Sequence, residues 1–345
     1  MRIAAAQTHT AWLDRAASTA VVIDWIGRAA ADGVDLLAFG ETFVPGYPVW
    51  ADITDASSFE AAHQKRAFSI YLDEAVEVPG PDMTRIVEAA KDAGVFTYVG
   101  IAERGTGPAR GTIYATLVAI DPVRGIVSAH RKLMPTYGER LMWGIGDGHG
   151  LRVHERPDGT RVGGLNCWEN WMPLARQALY AGGEDIHVAV WPGAVRNTEA
   201  ITRFIAREGR VFALSAGTLI DLDDIPADFP VRDQCVAWVE ANGGSLGYDG
   251  GSCIAGPDGK WIVAPVAGEE RLVVADIDPA RVREERQNFD PTGHYGRADV
   301  LSLRVDRRRH SSAVFDDGVG TGSGADDDPR QSRAENEEER RGRPT

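Results

Sequence analysis

Short apolar runs alternate with longer amphipathic stretches through the first two-thirds of this chain. The apolar runs predict strands, and apolar positions that recur every three or four residues predict helices. Strands are predicted near 2–7, 34–40, 95–102, 112–120, 126–132, 162–167, 186–190 and 211–217, and helices near 15–32, 60–72, 82–93, 169–181 and 197–208. Strands interspersed with helices favour a layered α/β fold.

The last third of the chain has a different pattern. Residues 250–263 predict a hairpin, because Pro257-Asp-Gly is a typical turn sequence between two apolar runs. A further strand is predicted at 271–277. We therefore expect the hairpin and this strand to extend the sheets that the earlier strands build.

Three residues with side chains suited to catalysis stand at the ends of predicted strands. Glu41 ends the run 34–40, Lys132 ends 126–132, and Cys167 ends 162–167. Each is followed by a loop or by a helix start. The carboxyl ends of strands in α/β sheets are where functional groups from distant positions meet, so we expect these three to converge.

Cys167 is the most informative of the three. It stands at an abrupt corner between a strand and the amphipathic stretch that begins at Glu169, and the start of a helix favours the thiolate form. A buried structural cysteine is the alternative. The eight histidines show no pattern around Cys167, so Glu41 is the better candidate for the base that a thiol nucleophile needs.

The other charged candidates have simple alternatives. Glu41 and Lys132, taken singly, could be solvated charges at strand ends. Glu139 lies seven residues beyond Lys132 and is a fourth candidate, whose alternative is a partner for Arg140. The recurrence of strand ends followed by aromatic and Pro-rich loops makes the set of three hard to explain by solvation alone.

Composition excludes several classes of protein. The net charge of −14 argues against nucleic acid as a partner. Three cysteines are too few for a disulfide framework, which favours a reducing compartment such as the cytoplasm, and no spacing suits a metal site. The N-terminus reads as a first strand rather than a signal peptide, and no apolar run is long enough to cross a membrane. We expect no cofactor.

The C-terminal residues form a separate region. Residues 306–345 hold ten acidic and eight basic residues and almost no large apolar side chains, so they account for −2 of the −14 charge. Such a segment cannot bury enough surface to fold alone. We predict a charged, disordered tail over 306–345 that either helps assembly or is a solvated appendage.

Several segments resemble one family, the nitrilase branch of the carbon–nitrogen hydrolase superfamily. They are Gly40-Glu-Thr-Phe-Val-Pro-Gly-Tyr-Pro48, His130-Arg-Lys-Leu-Met-Pro-Thr-Tyr-Gly-Glu-Arg140, Trp143-Gly-Ile-Gly-Asp-Gly148, Asn166-Cys-Trp-Glu-Asn-Trp-Met-Pro-Leu-Ala-Arg176, Val190-Trp-Pro-Gly193 and Asp290-Pro-Thr-Gly-His-Tyr-Gly-Arg-Ala-Asp-Val300. The likeness covers residues 1–305. Cys-Trp-Glu-Asn is similar to true nitrilases, whereas related amidases usually carry other residues after the nucleophile.

The resemblance implies a fold and a set of roles. The fold is a four-layer α-β-β-α sandwich, and the catalytic triad is Glu41, Lys132 and Cys167, with Glu139 also in the active site. The loop of Trp191 is expected beside it. Relatives form helix-paired dimers and often spirals, so we expect a homodimer or a larger homo-oligomer.

Together these observations predict a nitrilase that converts a small-molecule nitrile to a carboxylic acid and ammonia. The aromatic residues in the loops favour aromatic or arylaliphatic nitriles, with Tyr47, Trp168 and Trp191 as substrate-binding residues. The alternatives keep the same triad in an aliphatic amidase, a carbamoylase or a hydratase that releases amide. A third possibility is a non-catalytic scaffold that retains only the fold.

Overall fold

The computed structural model describes residues 1–311 and 313. Thirteen strands lie within these residues, at Arg2–Gln7 (β1), Leu36–Ala38 (β2), Phe96–Arg104 (β3), Ile113–Asp121 (β4), Gly125–Arg131 (β5), His154–Glu155 (β6), Arg161–Asn166 (β7), Ile186–Val190 (β8), Phe212–Ala216 (β9), Leu219–Ile220 (β10), Tyr248–Ala255 (β11), Trp261–Ala267 (β12) and Arg271–Asp276 (β13). They form two separate sheets.

The first sheet has the strand order β13-β1-β2-β3-β4-β5. Its centre is parallel, because β1 pairs with β2 and β2 with β3 in parallel register. The flanking pairs are antiparallel. The short strand β2 therefore ends at the middle of this sheet, and β5 ends at its edge.

The second sheet has the order β10-β11-β9-β8-β7-β6, with β12 added beside β11. Strands β7, β8 and β9 are parallel neighbours. The predicted hairpin is confirmed as β11 and β12, which pair in antiparallel register around the Pro257-Asp258-Gly259 turn. Cys167 directly follows β7, one of the parallel strands.

Eight α-helices accompany the strands among the described residues. They span Arg15–Ala31 (α1), Trp50–Ile53 (α2), Ala62–Asp73 (α3), Pro81–Ala93 (α4), Pro173–Ala181 (α5), Val195–Gly209 (α6), Arg232–Ala241 (α7) and Ala280–Arg286 (α8). None of the helices in this part of the chain is long and apolar enough to cross a membrane.

Alternation of side chains along the strands creates three apolar layers. Ile3 of β1, Leu117 of β4 and Phe212 of β9 belong to one cluster, which lies between the two sheets. Ala4 of β1 points the other way and joins a cluster with Ile26 of α1. Each large aliphatic side chain buried in this way contributes about 1.5–3 kcal/mol to stability.

The outer face of the second sheet is covered in the same manner. Ala189 of β8 and Ala213 of β9 share a buried cluster with Ile201 and Ile205 of α6. Helices thus cover the outer faces of both sheets, and the two sheets pack against each other. The predicted α-β-β-α sandwich is confirmed.

Local boundaries differ from the predicted ones at the corner after β7. The helix predicted from Glu169 begins only at Pro173, and a 3₁₀ turn over Cys167–Trp171 precedes it. Proline lacks an amide hydrogen and is accommodated well at the first position of a helix, which explains this start. The predicted corner is present, although it is a 3₁₀ turn rather than an α-helix.

The start of the predicted tail is attached to the sandwich. The side chain of Arg309 and the backbone N–H of His310 both donate to the buried carboxylate of Asp147, at 3.2 and 2.9 Å. The carbonyl of Asp306 lies against Gly148, where a Cβ would stand 2.2 Å from it. Residue 312 and residues 314–345 lie outside the described part of the chain, so the disordered tail stays a prediction.

Candidate active site

The three strand-end residues meet at one edge of the sandwich. Glu41 follows β2 and Lys132 follows β5, both in the first sheet, whereas Cys167 follows β7 in the second. The two sheets are joined here by the backbone, because the N–H of Glu41 donates to the carbonyl of Trp191 at 3.0 Å. Residues that are far apart in the chain are thereby brought into one buried cluster.

Gly40 makes this close approach feasible. A Cβ at this position would lie 2.0 Å from the Oγ1 of Thr218 and 2.8 Å from the carbonyl oxygen of Trp191. Only glycine leaves room for the backbone of the first sheet to touch that of the second. The residue before Glu41 therefore helps to set its position.

Lys132 lies at the centre of the cluster. Its Nζ donates to Glu41 Oε1 at 2.8 Å and to Glu139 Oε2 at 2.6 Å. The Sγ of Cys167 and one carboxylate oxygen each of Glu41 and Glu139 lie within 4.8 Å of one another. All four residues are at most 2% exposed. Such burial strengthens the interactions between these charges.

Glu139 is held by its own turn and by Tyr47. It is the third residue of a 3₁₀ turn over Tyr137–Leu141, and its Oε2 also accepts the backbone N–H of Thr136 at 2.6 Å. The hydroxyl of Tyr47 donates to its Oε1 at 2.9 Å. Arg140, the alternative partner, instead donates to the carbonyl of Pro135. Glu139 thus belongs to the cluster around Lys132.

Cys167 sits in a strained backbone conformation at the corner. Its φ is +47°, a left-handed value that non-glycine residues rarely adopt. The side-chain amide of Asn170 donates to the carbonyl of Cys167 at 2.9 Å and to that of Leu165 at 3.2 Å, which supports the turn. Thr42 and Tyr137, on the two neighbouring loops, also have positive φ values of 44° and 41°. Strain of this kind concentrates at functional sites.

The pKa of the Cys167 thiol is raised well above its ordinary value. Burial is the main cause and the charge of Glu41 adds to it, while Lys132 and the N–H of Trp168 act in the opposite direction. The expectation that a helix start favours the thiolate is therefore wrong for the resting site. Desolvation outweighs the dipole of a single 3₁₀ turn, so the thiol needs a base to lose its proton.

Glu41 has the properties of such a base. Its pKa is raised to about 8, because burial and the charge of Glu139, which raise it, outweigh the charge of Lys132, which lowers it. Burial by itself lowers the pKa of Lys132, but the negative charges of Cys167, Glu41 and Glu139 outweigh burial and raise that pKa well above its ordinary value. The lysine therefore stays an ammonium ion between two carboxylates.

Glu41, Glu139 and Cys167 could in principle coordinate a metal ion, since their donor atoms lie close together. The ammonium of Lys132 already occupies the position between the two carboxylates, at 2.8 and 2.6 Å. A cation there would have to displace it. The arrangement is thus a complete charge cluster made from protein side chains.

A cavity of about 350 Å³ opens onto Cys167. Its lining combines aromatic, polar and charged side chains, namely Tyr47, Asp52, Thr136, Tyr137, Glu139, Cys167, Trp168, Pro192, Arg196, Asn197 and Tyr248. Tyr47 and Trp168, two of the residues predicted to bind substrate, are among them. A cavity of this size suits a small organic molecule.

Trp191, the third of these predicted residues, does not line the cavity. Its indole is fully buried in the apolar cluster that contains Cys167 and Ile201, and its Nε1–H donates to Ser215 at 3.1 Å. Its neighbour Pro192 lines the cavity instead. The correction has a simple reason, because the ring of Trp191 turns into the layer beneath α6 while its carbonyl holds Glu41.

Two polar networks near the site were not predicted from the sequence. The carboxylate of Glu169 lies against His130 and accepts backbone N–H groups from Leu133, next to the first sheet, and from Asn166 in the second. The imidazole of His187 lies between Glu184 and Asn170, at 2.9 and 2.8 Å. The spacing of Asn166 and Glu169 is that of a capping box, a signal that the sequence does contain. The partners on distant strands gave no comparable signal.

Comparisons with known proteins agree with this geometry. Residues 2–287 match the carbon–nitrogen hydrolase family. A protein called nitrilase 2, from an unknown prokaryotic organism, is 38% identical over 91% of this chain and 95% of its own length. An aliphatic nitrilase of Rhodococcus rhodochrous is 34% identical over 91% and 84%. A bifunctional nitrilase/nitrile hydratase of Nicotiana tabacum is 32% identical over 96% and 92%.

Solved structures share the fold at lower sequence identity. A carbon–nitrogen hydrolase of Helicobacter pylori G27 matches with a TM-score of 0.64 at 16% identity, over 87% of this chain and 96% of that one. An amidase of Nesterenkonia matches with a TM-score of 0.58 at 20% identity, over 84% and 97%. The family match and the relatives lead to one conclusion, with which the shared fold agrees: this chain belongs to the nitrilase branch of the carbon–nitrogen hydrolase family.

Proposed function

We propose that this enzyme hydrolyses a nitrile to a carboxylic acid and ammonia through a covalent bond to Cys167, with Glu41, Lys132 and Glu139 as the other catalytic residues. One observation carries the proposal. A buried ammonium lies between two buried carboxylates, and a strained thiol stands within 4.8 Å of a carboxylate oxygen from each. This set provides a nucleophile, a base and a proton donor in one place.

In the first step Glu41 accepts the proton of Cys167, and the thiolate attacks the nitrile carbon. A carboxylate with a pKa of about 8 is a stronger base than an ordinary one, which suits a thiol whose own pKa is raised. As the carbon–sulfur bond forms, Glu41 passes the proton that it took from Cys167 to the nitrile nitrogen and becomes a carboxylate again, and the ammonium of Lys132 stabilises the charge that develops on the nitrogen. The product is a thioimidate.

In the second step water adds to the thioimidate, with Glu41 again as the base. Loss of ammonia leaves a thioester, and a second water releases the acid and restores the thiol. Glu139 keeps Lys132 in place through its 2.6 Å hydrogen bond and keeps the ammonium charged. If the tetrahedral intermediate expels the thiol rather than ammonia, an amide leaves instead.

The amide route is the second candidate outcome. A relative from Nicotiana tabacum, which is 32% identical, is named as both a nitrilase and a nitrile hydratase. The same triad would serve an amidase or a carbamoylase, because only the substrate differs. The ratio of acid to amide therefore defines the activity more sharply than the presence of the triad.

The substrate we favour is an aromatic or arylaliphatic nitrile. Tyr47, Tyr137, Trp168 and Tyr248 contribute rings to the cavity wall, and aromatic rings stack against flat substrates. Trp191 drops out of the binding residues because its ring is buried elsewhere. Aliphatic nitriles are the alternative, since the Rhodococcus rhodochrous relative is named for them.

The deciding experiment measures acid, amide and ammonia released from benzonitrile, phenylacetonitrile, an aliphatic nitrile, a dinitrile and the matching amides. We expect acid and ammonia from the nitriles, with the aromatic and arylaliphatic ones turned over fastest. Turnover of the amides alone would show that the enzyme is an amidase and not a nitrilase. Faster turnover of the aliphatic nitrile would support the proposed reaction and would contradict the proposed preference for aromatic or arylaliphatic nitriles.

We also propose a homodimer or larger homo-oligomer that works in the cytoplasm. Leu174 on α5 and Phe204 on α6 are 66% and 49% exposed, although both are large and apolar. Exposed apolar side chains on neighbouring helices suit an interface. Light scattering of the full chain and of a chain lacking 311–345 tests this: a monomer overturns the assembly, and equal particle sizes remove the tail from it.

A further inference from the structure

One buried carboxylate connects the two sheets beside the proposed catalytic residues. Glu169 is the third residue of the 3₁₀ turn at Cys167 and is 1% exposed. Its Oε1 accepts the backbone N–H of Leu133 at 2.9 Å, and its Oε2 accepts that of Asn166 at 3.0 Å. Leu133 directly follows Lys132, and Asn166 directly precedes Cys167. Glu169 therefore spans the peptides next to two of the proposed catalytic residues.

His130 holds this carboxylate from the side of the first sheet. Its Nε2 lies 2.9 Å from both oxygens of Glu169, and both side chains are buried. His130 and Lys132 are two residues apart along an extended backbone, so they face the same side. Burial alone raises the pKa of Glu169, but the contacts with His130 and the two backbone N–H groups outweigh it and hold that pKa below its ordinary value.

The strands that Glu169 connects have no shared hydrogen-bond ladder. β5 is the edge strand of the first sheet, and β7 belongs to the second. Sheets pack face to face through side chains, so no backbone ladder fixes the position of β5 relative to β7. The other polar contact at this point, from Asn166 Nδ2 to the carbonyl of His130, is long at 3.5 Å.

We infer that Glu169 and His130 form a positioning pair that sets the distance between the ammonium of Lys132 and the thiol of Cys167. Neither residue lines the cavity at Cys167, and Glu169 bonds His130 and the two backbone N–H groups, so the pair acts through the two backbones that it joins. The inference rests on the proposed function for its effect on turnover. Its effect on the thiol is independent of any substrate.

The substitution Glu169→Gln separates positioning from simple packing. The amide has nearly the same shape, but its NH₂ group must face one of the two backbone N–H donors, so one connection is lost. Misplacement of reacting groups by about 1 Å costs about 100-fold in rate. We expect kcat on a nitrile to fall about 100-fold while KM stays within about twofold, because the cavity wall is unchanged.

The second readout is alkylation of Cys167 by iodoacetamide as a function of pH. Lys132 lowers the pKa of this thiol, so a variant in which the two residues move apart should react only at higher pH. Glu169→Asp keeps the charge and both acceptor oxygens and should recover part of kcat. His130→Gln serves as a milder variant if Glu169→Gln fails to fold.

Glu103→Gln is the matched control. Glu103 is also a buried carboxylate, and it accepts from Thr116 Oγ1 at 2.6 Å and from Arg131 Nε at 3.0 Å without touching the proposed catalytic residues. We expect both variants to lower the unfolding temperature, and only Glu169→Gln to lower kcat strongly. Equal losses of kcat in the two variants, or an unchanged alkylation profile in Glu169→Gln, would overturn the positioning role.

Failure of the proposed function gives a different result. A wild-type enzyme that turns over no nitrile or amide would refute the proposed reaction. The alkylation profiles of wild type, Glu169→Gln and Glu103→Gln would still show whether Glu169 controls the surroundings of the thiol. The two conclusions can therefore fail separately.

Discussion

Cys253 lies in a strand of the second sheet and Cys167 directly follows another; both are buried, yet their surroundings differ sharply. Cys253 lies within β11 and donates to the hydroxyl of Thr202 at 3.4 Å, and burial raises its pKa to about 11. Burial raises the pKa of Cys167 as well. Hydroxyl groups cannot take a thiol proton at neutral pH, whereas the ionised form of a carboxylate, the role we propose for Glu41, can. Since both thiols are buried, the proposed mechanism assigns the reactivity of Cys167 to its neighbouring base and not to the exposure of the thiol.

Replacing each cysteine by alanine, which removes the sulfur atom, tests this contrast most strongly. We expect Cys167→Ala to lose at least about 10⁴-fold in activity, because no other group can form the covalent intermediate. Cys253→Ala should keep kcat within about twofold and lose about 1 kcal/mol of stability, typical of a small cavity. Acid release from a nitrile and thermal unfolding measure the two effects. Residual turnover in Cys167→Ala would point to a different nucleophile.

Removing the cation tests a second difference, because Cys167 lies beside the ammonium of Lys132 and Cys253 is surrounded by hydroxyl groups. Lys132→Met leaves Glu41 and Glu139 close together without their shared partner. We expect kcat to fall about 10³-fold and unfolding stability to fall by about 3–5 kcal/mol, as when a buried ion pair loses one member. Lys65→Met is the control, because its ion pair with Glu60 is exposed. A fully active Lys132→Met variant would contradict the role of the ammonium.

The pH dependence of thiol alkylation sharpens the contrast further. Glu41 accepts a proton only when ionised, and its pKa is raised to about 8. Alkylation of Cys167 should therefore rise with pH by about tenfold per unit below pH 8 and then flatten. Glu41→Gln should abolish this rise in the same window. A rate that is independent of pH between 6 and 8 in the wild-type protein would show that Glu41 is not the base.

Access is the last difference between the two thiols. Cys167 opens onto a cavity whose lining includes Arg196, which donates to the carbonyl of Gly247 and has no carboxylate within 4.0 Å among the described residues. We expect nitriles that carry a carboxylate to bind more tightly because of this cation. We expect Arg196→Gln to lower kcat/KM about fivefold on 3-cyanopropanoate and less than twofold on pentanenitrile. Arg207→Gln, farther along α6, should change neither; equal effects on both nitriles would exclude charge recognition.

Much of the fold was readable from the sequence because its signals are local. Buried strands such as β8 are recognisable as apolar runs, and Pro257-Asp258-Gly259 is a sequence typical of turns. Short or weakly patterned elements were missed, including the two-residue strands β6 and β10 and the helix α7, Arg232–Ala241. Their formation depends on contacts with distant parts of the chain.

The candidate site divides in the same way. Glu41, Lys132 and Cys167 could be selected because each ends a predicted strand, and the structure brings them together. Their assignment to different sheets, the inward turn of the Trp191 ring and the raised pKa of the thiol could not be foreseen. These properties follow from how the sheets pack and how much water they exclude, and a single sequence does not encode them in any short segment.

The contacts that set the relative positions of the proposed catalytic residues are made largely by main-chain atoms. The carbonyl of Trp191 holds Glu41, and the N–H groups of Leu133 and Asn166 meet at Glu169. The rings of Trp168 and Tyr248 line the cavity without making any of these bonds, so we expect substitutions there to change substrate preference and to leave the proposed reaction unchanged. Tyr47 is different, because it lines the cavity and also bonds Glu139. Libraries that aim to evolve new substrate ranges should vary the former positions and spare this tyrosine.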